Sequence, residues 1–183
     1  RARFGTAPDT IGSPADVGPV WTALSIQANK YDDWSTNEDW QPVTGFARAR
    51  WAATDRLRID GEVGREVVET PLAISNRVTA NTAALGADWR WQPRSSLAAQ
   101  LSSIDFSDDN RRTRVNLRAD HRVLNRPRVV IGVEALAFRS SDPTSDTHPY
   151  VGYWNPRDYQ EARAYAAVEH EARPWDFRMK IGV

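Results

Sequence analysis

The sequence predicts an all-β fold: an antiparallel, up-and-down transmembrane β-barrel, of which this chain forms an incomplete segment. Three observations indicate it. Apolar and charged residues alternate in steps of two over long stretches, tight turns alternate with long polar loops, and aromatic residues gather near the ends of the predicted strands. Residues 1–19 are rich in Gly and Pro and are expected to be irregular, whereas the meander is expected over residues 20–183.

The alternation is clearest in LRIDGEVGREV, residues 57–67, where apolar or small side chains share one face and most charged side chains share the other. Residues 159–171 contain enough Ala and Glu for a helix, but their alanines alternate with larger polar residues, so we predict a strand there as well. The predicted strands cover residues 20–31, 43–53, 57–69, 78–91, 96–106, 112–124, 128–139, 159–171 and 177–183.

The connections between these strands are of two kinds. Short ones with turn chemistry are predicted at residues 54–56, 92–95, 125–127 and 172–175. Longer or more polar ones are predicted at residues 32–42, 70–77, 107–111 and 139–158. One end of the sheet therefore has tight turns and the other has loops. An odd number of strands does not close a bacterial barrel, so we expect a piece of a larger one.

Strand length and aromatic residues favour a membrane barrel over a soluble sheet. Strands of roughly 11 to 14 residues exceed the usual soluble length of about 5 to 6 and suit a tilted strand that crosses a bilayer. The aromatic residues are expected to form two interfacial girdles that flank a band of small and aliphatic residues. Towards the turns lie Trp51, Trp89, Trp91, Trp175 and Phe177, and towards the loops lie Tyr31, Trp34, Trp40, Phe106, Phe138, Tyr150, Tyr153, Trp154 and Tyr159.

The opposite, charged face is predicted to line an aqueous lumen. Both signs of charge occur at neighbouring positions, so cross-strand pairs of arginine and carboxylate are expected to stiffen the wall. Arg65 and His121 fall on the apolar face instead, which requires a bulge or a position near an interface. The predicted lumen-lining residues are Arg58, Asp60, Glu62, Glu66, Asp88, Arg90, Arg114, Arg118, Asp120, Arg122, Glu134, Glu161, Arg163 and Glu169.

Composition excludes several functions. The chain has 24 basic and 24 acidic residues, so no net field attracts nucleic acid, and it has no cysteine for a thiol nucleophile or a disulfide. No phosphate-binding, dinucleotide or nucleophile-elbow motif occurs, and no two of the three histidines have metal-ligand spacing. We therefore predict no enzyme activity, no cofactor and no metal.

The run GYWNPRDY, residues 152–159, enters an alternating strand after a long polar loop. It resembles a segment in the C-terminal barrels of outer-membrane exopolysaccharide-export porins, such as the poly-N-acetylglucosamine porin and the cellulose-export protein. The resemblance implies a sixteen-stranded barrel in the outer membrane of a Gram-negative bacterium, through which a secreted glycan passes. It further implies periplasmic helical repeats, an inner-membrane synthase and outer-membrane lipid as partners.

Three interpretations of the aromatic residues Tyr150, Tyr153, Trp154 and Tyr159 remain open. They stack against sugar rings at the outer mouth, or they anchor the loop at the membrane interface; packing of the loop into the lumen as a plug is a third possibility.

Three other functions are compatible with parts of the sequence. The alternative from another class is a soluble all-β carbohydrate-binding module. An outer-membrane hydrolase using His121 with Ser102 or Ser103, and a calcium site at Asp105, Asp108 and Asp109, are less favoured.

Overall fold

The computed structural model describes residues 20–28, 30–32, 39–143, 152–172 and 175–183, which fold mainly into antiparallel strands. In chain order the elements are β1 (Val20–Ala28), β2 (Tyr31–Asp32), β3 (Asp39–Trp40), β4 (Val43–Ala52), β5 (Leu57–Val67), α1 (Pro71–Ser75), β6 (Thr79–Gln92), β7 (Ser95–Phe106), β8 (Arg111–Asn125), β9 (Arg128–Ser140), β10 (Asp158–Ala172) and β11 (Trp175–Gly182). Nine of the strands form one sheet in the order β1-β4-β5-β6-β7-β8-β9-β10-β11, and β2 pairs with β3 in a small separate hairpin. The predicted meander of nine strands is confirmed.

The sheet is not closed within the described part of the chain, because β1 and β11 are its two edges and do not pair with each other. This agrees with the predicted incomplete segment of a barrel. The prediction for residues 1–19 lies outside the described residues, as does residue 29 between the first strand and the small hairpin.

The strand register sorts side chains onto two faces. Arg50 lies opposite Asp60, and Asp60 lies opposite Gly86, so these positions share one face. The odd-numbered neighbours Trp51, Ile59 and Ala87 are aligned in the same way on the other face. Because side chains alternate along a strand, the register carries this division across the whole sheet. We call the two surfaces the charged face and the apolar face.

The apolar face exposes large hydrophobic side chains across the sheet. Leu24 is 75% exposed, Leu85 62% and Val133 56%. Moving such a side chain from water into hydrocarbon is worth about 2 kcal/mol, and a continuous exposed apolar surface of this kind is typical of contact with lipid or with another protein. Together with the length of the strands, this surface favours a membrane-spanning sheet over the alternative of a soluble carbohydrate-binding module.

Aromatic residues on the apolar face gather at the tight-turn end. Trp51, Trp89, Trp91 and Phe177 lie there, within a few residues of a short connection, and the Trp89 and Trp91 rings are 6.2 Å apart. This matches the predicted interfacial girdle on one side of the membrane. Of the second predicted girdle, Phe106, Phe138 and Tyr159 project from the charged face, so an interfacial position is wrong for these three. Trp34 and Tyr150 lie outside the described residues.

Arg65 and His121, the exceptions predicted on the apolar face, both lie near strand ends. Arg65 is opposite Asn81 and its Nη2 donates to Thr79 Oγ1 at 3.4 Å, close to the loop end. His121 Nδ1 is 2.9 Å from Ser95 Oγ, beside a register shift in β8 at the turn end. A polar partner and a position near the interface reduce the cost of placing these groups on a lipid-facing surface.

The loop predicted at residues 70–77 contains the short helix α1. Thr70 precedes the helix and accepts a hydrogen bond from the Ala73 amide, and Pro71 occupies the first helical position, where its missing N–H costs nothing.

The first strand ends at Ala28 and not at residue 31 as predicted, because Tyr31 pairs with Trp40 instead. None of the described helical residues belongs to a helix long and apolar enough to cross a membrane.

Candidate functional site

The charged face is held together by ion pairs between neighbouring strands. Arg50 Nε lies 2.6 Å from Asp60 Oδ1, and Arg48 donates to Glu62 from Nε at 2.7 Å. Glu134 of β9 accepts from Arg163 of the adjacent β10 and from Lys180 of β11, one strand further on, both at 2.7 Å. These are the cross-strand pairs that the sequence predicts. Because most of the groups remain partly open to water, each pair contributes at most about 1 kcal/mol, but the pairs fix where the charges lie.

The strand register places every predicted lumen-lining residue on the charged face. Arg58 lies opposite Asp88, Arg118 opposite Glu134, and Glu134 opposite Arg163. The remaining predicted residues follow on the same alternation. The sequence pattern thus identified one contiguous polar surface.

Tyr165 fills a gap that glycine leaves on the charged face. It is 6% exposed and lies opposite Gly132 on one side and Gly182 on the other. Its hydroxyl donates to Asp120 and accepts from Arg118 Nε at 3.0 Å. A Cβ on Gly132 would approach the ring to 2.6 Å. Because residue 132 has no side chain, the Tyr165 ring can pack against its backbone.

An aromatic cluster lies at the loop end of the same face. We define it as Phe138, Trp154 and Tyr159. The Trp154 ring meets the other two edge-on, with centroids 5.4 Å from Phe138 and 4.7 Å from Tyr159. Phe138 is buried, whereas Trp154 is 57% exposed. The exposed indole is thus held by its neighbours and presents a free surface.

Arg112 joins this cluster to the strands. Its guanidinium carbon lies 4.4 Å from the Phe138 ring centroid, and its Nη2 donates to the Trp154 carbonyl at 2.8 Å. A cation over an aromatic face and a hydrogen bond to the backbone fix the loop against β8 and β9.

Tyr153 is the centre of a second contact, which joins three connections at the loop end. Its ring stacks on Phe106 with centroids 4.5 Å apart, and its hydroxyl donates to Asp108 Oδ2 at 2.8 Å. Asn110 Nδ2 donates both to the Tyr153 hydroxyl at 3.0 Å and to Asn155 Oδ1 at 2.9 Å. Burial raises the pKa of the Tyr153 phenol well above its ordinary value, so the hydroxyl stays protonated and able to donate.

The backbone at Gly152 completes this contact by touching α1. Thr70 Oγ1 donates to the Gly152 carbonyl, and a Cβ on Gly152 would lie 2.4 Å from the Ala73 amide nitrogen. Gly152 has a φ of 101°, which only glycine adopts without strain. We call the contact among Thr70, Ala73, Asn110, Gly152 and Tyr153 the latch.

The latch lies over the charged face, because the Phe106 ring that carries Tyr153 projects from that side of β7. Ala73, Val78 and Tyr153 form a small buried cluster, with Val68 and Phe106 packed against it. Residues 152–155 therefore lie over the charged face of the sheet instead of extending along the strands.

This geometry bears on the interpretations of the aromatic loop. An interfacial anchor is wrong for Tyr153, which is 7% exposed and buried in the latch, and for Tyr159, which projects from the charged face. The inward packing matches the third interpretation for Tyr153. Trp154 has the exposure that contact with a ligand requires, while Tyr150 lies outside the described residues.

The weaker chemical hypotheses do not fit the geometry. Ser102 projects from the face opposite to His121, and Ser103 pairs with Thr113, eight residues along β8 from His121, or about 27 Å. Within the described ranges no three acidic, histidine or cysteine residues group as metal ligands, which includes the aspartates of the β7–β8 turn. Asp108 instead accepts from Tyr153.

Sequence reasoning missed Asn110, Arg112 and Gly152 as members of the site. Asn110 follows two aspartates and reads as an ordinary polar loop tip, yet it is 3% exposed. Gly152 heads the quoted GYWNPRDY run, and a glycine before two aromatic residues is the signal that could have indicated a close backbone contact.

Three comparisons with known proteins bear on these surfaces. A family model described as "PgaA membrane beta barrel domain" matches residues 16–173. A comparison with curated protein sequences gave no match. A solved structure titled "Bacterial polysaccharide outer membrane secretin" is similar with a TM-score of 0.70 and 19% identity, over 89% of this chain and 55% of that one. The chain thus spans about half the length of the solved chain and shares its fold.

Proposed function

This chain belongs to the PgaA membrane beta barrel domain family, and on that premise we propose that it forms part of the wall of a channel that exports a polysaccharide passively across the outer membrane. Its place is the outer membrane of a Gram-negative bacterium, as predicted. The observation that supports the channel is the division of one nine-stranded sheet into a lipid-compatible apolar face and a face of paired charges. No chemical step by the protein is part of this proposal.

In this proposal the charged face lines the lumen. Paired charges and amides such as Asn116 and Gln100, whose side chains are 3.2 Å apart, offer hydrogen bonds to sugar hydroxyls while the ion pairs keep the wall from collapsing. The short turns face the periplasm and the loops face the outside, as in other outer-membrane barrels. Periplasmic helical repeats and an inner-membrane synthase would deliver the polymer to the turn end.

A cysteine-labelling experiment tests whether the charged face is the channel wall. The chain has no cysteine, so Asn116→Cys introduces a single thiol at mid-strand on the charged face. We expect a bulky hydrophilic maleimide to react with it in intact outer membranes and to reduce polymer secretion several-fold. Val115→Cys, the neighbour on the apolar face, is the matched control, and we expect it to remain unlabelled because lipid covers it. Labelling of Val115→Cys alone would reverse the assignment of the two faces.

At the outer mouth we propose that Trp154 contacts the glycan. Flat aromatic faces bind the apolar faces of pyranose rings. The Trp154 ring is exposed, and Phe138 and Tyr159 make edge-to-face contacts with it. Tyr159 borders this contact and Tyr153 supports it from the latch. Tyr150 lies outside the described residues, and we propose that it also contacts the glycan, as the sequence predicts.

Replacing Trp154 with alanine is expected to reduce polymer export about three- to tenfold at equal barrel abundance, since a stacking contact is worth about 1 kcal/mol. Secreted polymer is measured by lectin or antibody binding, normalised to the barrel protein in outer membranes. Trp51→Ala removes an indole of similar exposure, 48% against 57%, from the apolar face and serves as the control. Export that is unchanged by Trp154→Ala would leave Trp154 with a structural role only.

A further inference from the structure

A hollow on the apolar face contains two polar residues that the export function does not use. It has a volume of about 650 Å³, and Ser95 and His121 are among the residues that line it. A second hollow of about 500 Å³ extends it towards the middle of the strands, and the two share Ala119, Val133 and Ala164. We call the joined hollows the groove. An ionisable residue on a surface that meets lipid is costly, so His121 requires a functional explanation.

The polar pair lies just outside the level of the aromatic girdle. Ala119 is opposite Leu97, and Leu97 is opposite Trp89, so these three residues lie at one height in the sheet. His121 is two residues nearer the tight turn, and its Nδ1 is 2.9 Å from Ser95 Oγ. Within the described part of the chain its Nε2 has no hydrogen-bond partner. Because tryptophans settle where hydrocarbon meets head groups, His121 lies at the depth of lipid head groups.

An arginine without a carboxylate partner stands beside this pair. Arg94 directly precedes Ser95 in the tight turn between β6 and β7, and its side chain is exposed. The Arg94 carbonyl accepts from the Arg122 amide at 2.8 Å, which fixes the turn against β8. Arg126, in the tight turn between β8 and β9, is exposed as well. Over the described ranges neither Arg94 nor Arg126 pairs with a carboxylate.

The other arginines within two residues of a described tight turn each have a carboxylate nearby. The pairs are Arg56 with Asp55 at 3.8 Å, Arg128 with Glu169 at 2.9 Å, and Arg58 opposite Asp88. The positive charge that remains uncompensated at these turns therefore belongs to Arg94 and Arg126, and Arg94 stands at the polar end of the groove. An apolar groove whose polar end carries a histidine and a free arginine is complementary to an amphipathic anion.

We propose that the groove binds an anionic phospholipid of the leaflet at the turn end, with its phosphate held by Arg94 and His121 and an acyl chain along the groove. This inference rests on the proposed orientation, in which the apolar face meets lipid and the turns face the periplasm. Arginine donates paired hydrogen bonds to phosphate oxygens, and a histidine N–H adds another. The uncompensated charge of Arg94 and Arg126 favours a lipid of net negative charge over a zwitterionic one.

The depth of the groove fits one acyl chain. Leu117 lines its inner part, four residues along β8 from His121, or about 13 Å of extended strand. One leaflet contributes about 15 Å of hydrocarbon, half of the core of a bilayer. A lipid whose phosphate lies at His121 therefore reaches the inner part of the groove while its chain stays in its own leaflet.

The test uses the protein as its cell produces it, extracted from outer membranes and freed of lipid in detergent. It is titrated with phosphatidylglycerol or with phosphatidylethanolamine of the same acyl chains, and native mass spectrometry counts the lipids bound. We expect one phosphatidylglycerol to bind at least fivefold more tightly than phosphatidylethanolamine, with a preference that falls as salt rises. Glycerol 3-phosphate carries the phosphate without acyl chains, and we expect it not to displace the lipid at equal concentration.

Two double variants test the polar end of the groove. Arg94→Gln combined with His121→Gln is expected to weaken the binding of phosphatidylglycerol at least tenfold and to remove the preference over phosphatidylethanolamine. Arg56→Gln combined with His170→Gln makes the same chemical changes outside the groove, in another tight turn and at the turn end of the apolar face. We expect this control to bind both lipids as the parent does. Heat-modifiable gel mobility reports whether each barrel has folded.

A second pair of variants tests the apolar part. Ala164→Phe places a ring in the groove, and we expect it to weaken the binding of both lipids. Ala87→Phe adds the same ring to β6, outside the groove and at a similar depth on the apolar face, and is the matched control. We expect Ala87→Phe to leave the affinity for phosphatidylglycerol unchanged.

The outcomes separate this inference from the orientation on which it rests. Equal affinity for the two lipids would overturn the anionic lipid, and displacement by glycerol 3-phosphate would show a simple anion site in its place. Binding of phosphatidylglycerol that survives the changes at Arg94 and His121 would overturn the location of the site. All three results leave the channel standing, whereas labelling of Val115→Cys in intact outer membranes would overturn the orientation itself.

Discussion

Replacing Gly152 with alanine is expected to release the latch and to open the outer mouth. The residue has a φ of 101°, and an added Cβ would lie 2.4 Å from the Ala73 amide nitrogen and 2.9 Å from the Leu72 carbonyl carbon. Backbone strain of this kind costs about 1–3 kcal/mol before the overlap is counted. Because backbone atoms on both sides make the overlap, rotation of a side chain does not relieve it.

We expect this loss to shift the loop after β9 towards detached states by a factor of ten or more, since about 1.4 kcal/mol changes an equilibrium tenfold. The single-channel conductance of Gly152→Ala should rise, and cells that carry it should become more sensitive to large hydrophilic antibiotics. Both measurements report the width of the mouth and not the amount of polymer.

Gly61→Ala is the matched control for the release of the latch. Gly61 lies on the apolar face of β5, and a Cβ placed there meets nothing within 4 Å. We expect this variant to behave like the parent in conductance and in antibiotic sensitivity. If Gly152→Ala and Gly61→Ala gave equal conductance, the loop would not narrow the channel, and the latch would be a structural feature of the rim only.

The second large effect is expected at Tyr165, where alanine should destabilise the barrel by about 3 kcal/mol. The substitution removes a ring that is 6% exposed, uncovers the backbone at Gly132, and deprives Asp120 and Arg118 of a shared hydroxyl. It also removes the ring that lies 3.9 Å from the Lys180 ammonium group. Unfolding in urea, followed in lipid vesicles by heat-modifiable gel mobility, measures the change.

Tyr165→Phe separates packing from hydrogen bonding in this result. It keeps the ring over Gly132 and loses only the hydroxyl, so we expect a loss of about 1 kcal/mol. Gly132→Ala approaches the same contact from the other side and should displace the ring, because its Cβ would lie 2.6 Å from it. Identical stabilities for Tyr165→Ala and Tyr165→Phe would show that the ring contributes no packing.

Much of the fold could be predicted because its determinants are periodic and local. Apolar and charged residues alternate so regularly over residues 57–67 that the strand and its two faces can be predicted from the sequence. Strand β5 is found there. Short connections such as 92–95 contain Pro and polar residues, and the turn is found where expected. A strand whose one face must be buried or covered by lipid cannot shift its register by one residue without exposing that face. The residues of the charged face could therefore be predicted together.

The contacts at the mouth could not be predicted in this way. Tyr153 and Trp154 are adjacent aromatic residues in one loop, yet one is buried and the other is exposed. The difference arises because Phe106 and Asn110, more than forty residues earlier, receive the Tyr153 ring and hydroxyl. Helix α1 was also missed, because five residues are too few to show a helical period.

The two-faced antiparallel meander, its tight-turn and loop ends, and the set of charges that share a face can all be derived from the order of the residues, because alternation and turn chemistry act over a few neighbouring residues. The folded sheet is needed to see which loop residues pack inward, how Gly132 makes room for Tyr165, and which arginines of β8 donate to neutral acceptors. Those features depend on residues that are distant in the chain and meet only when the sheet has formed its register.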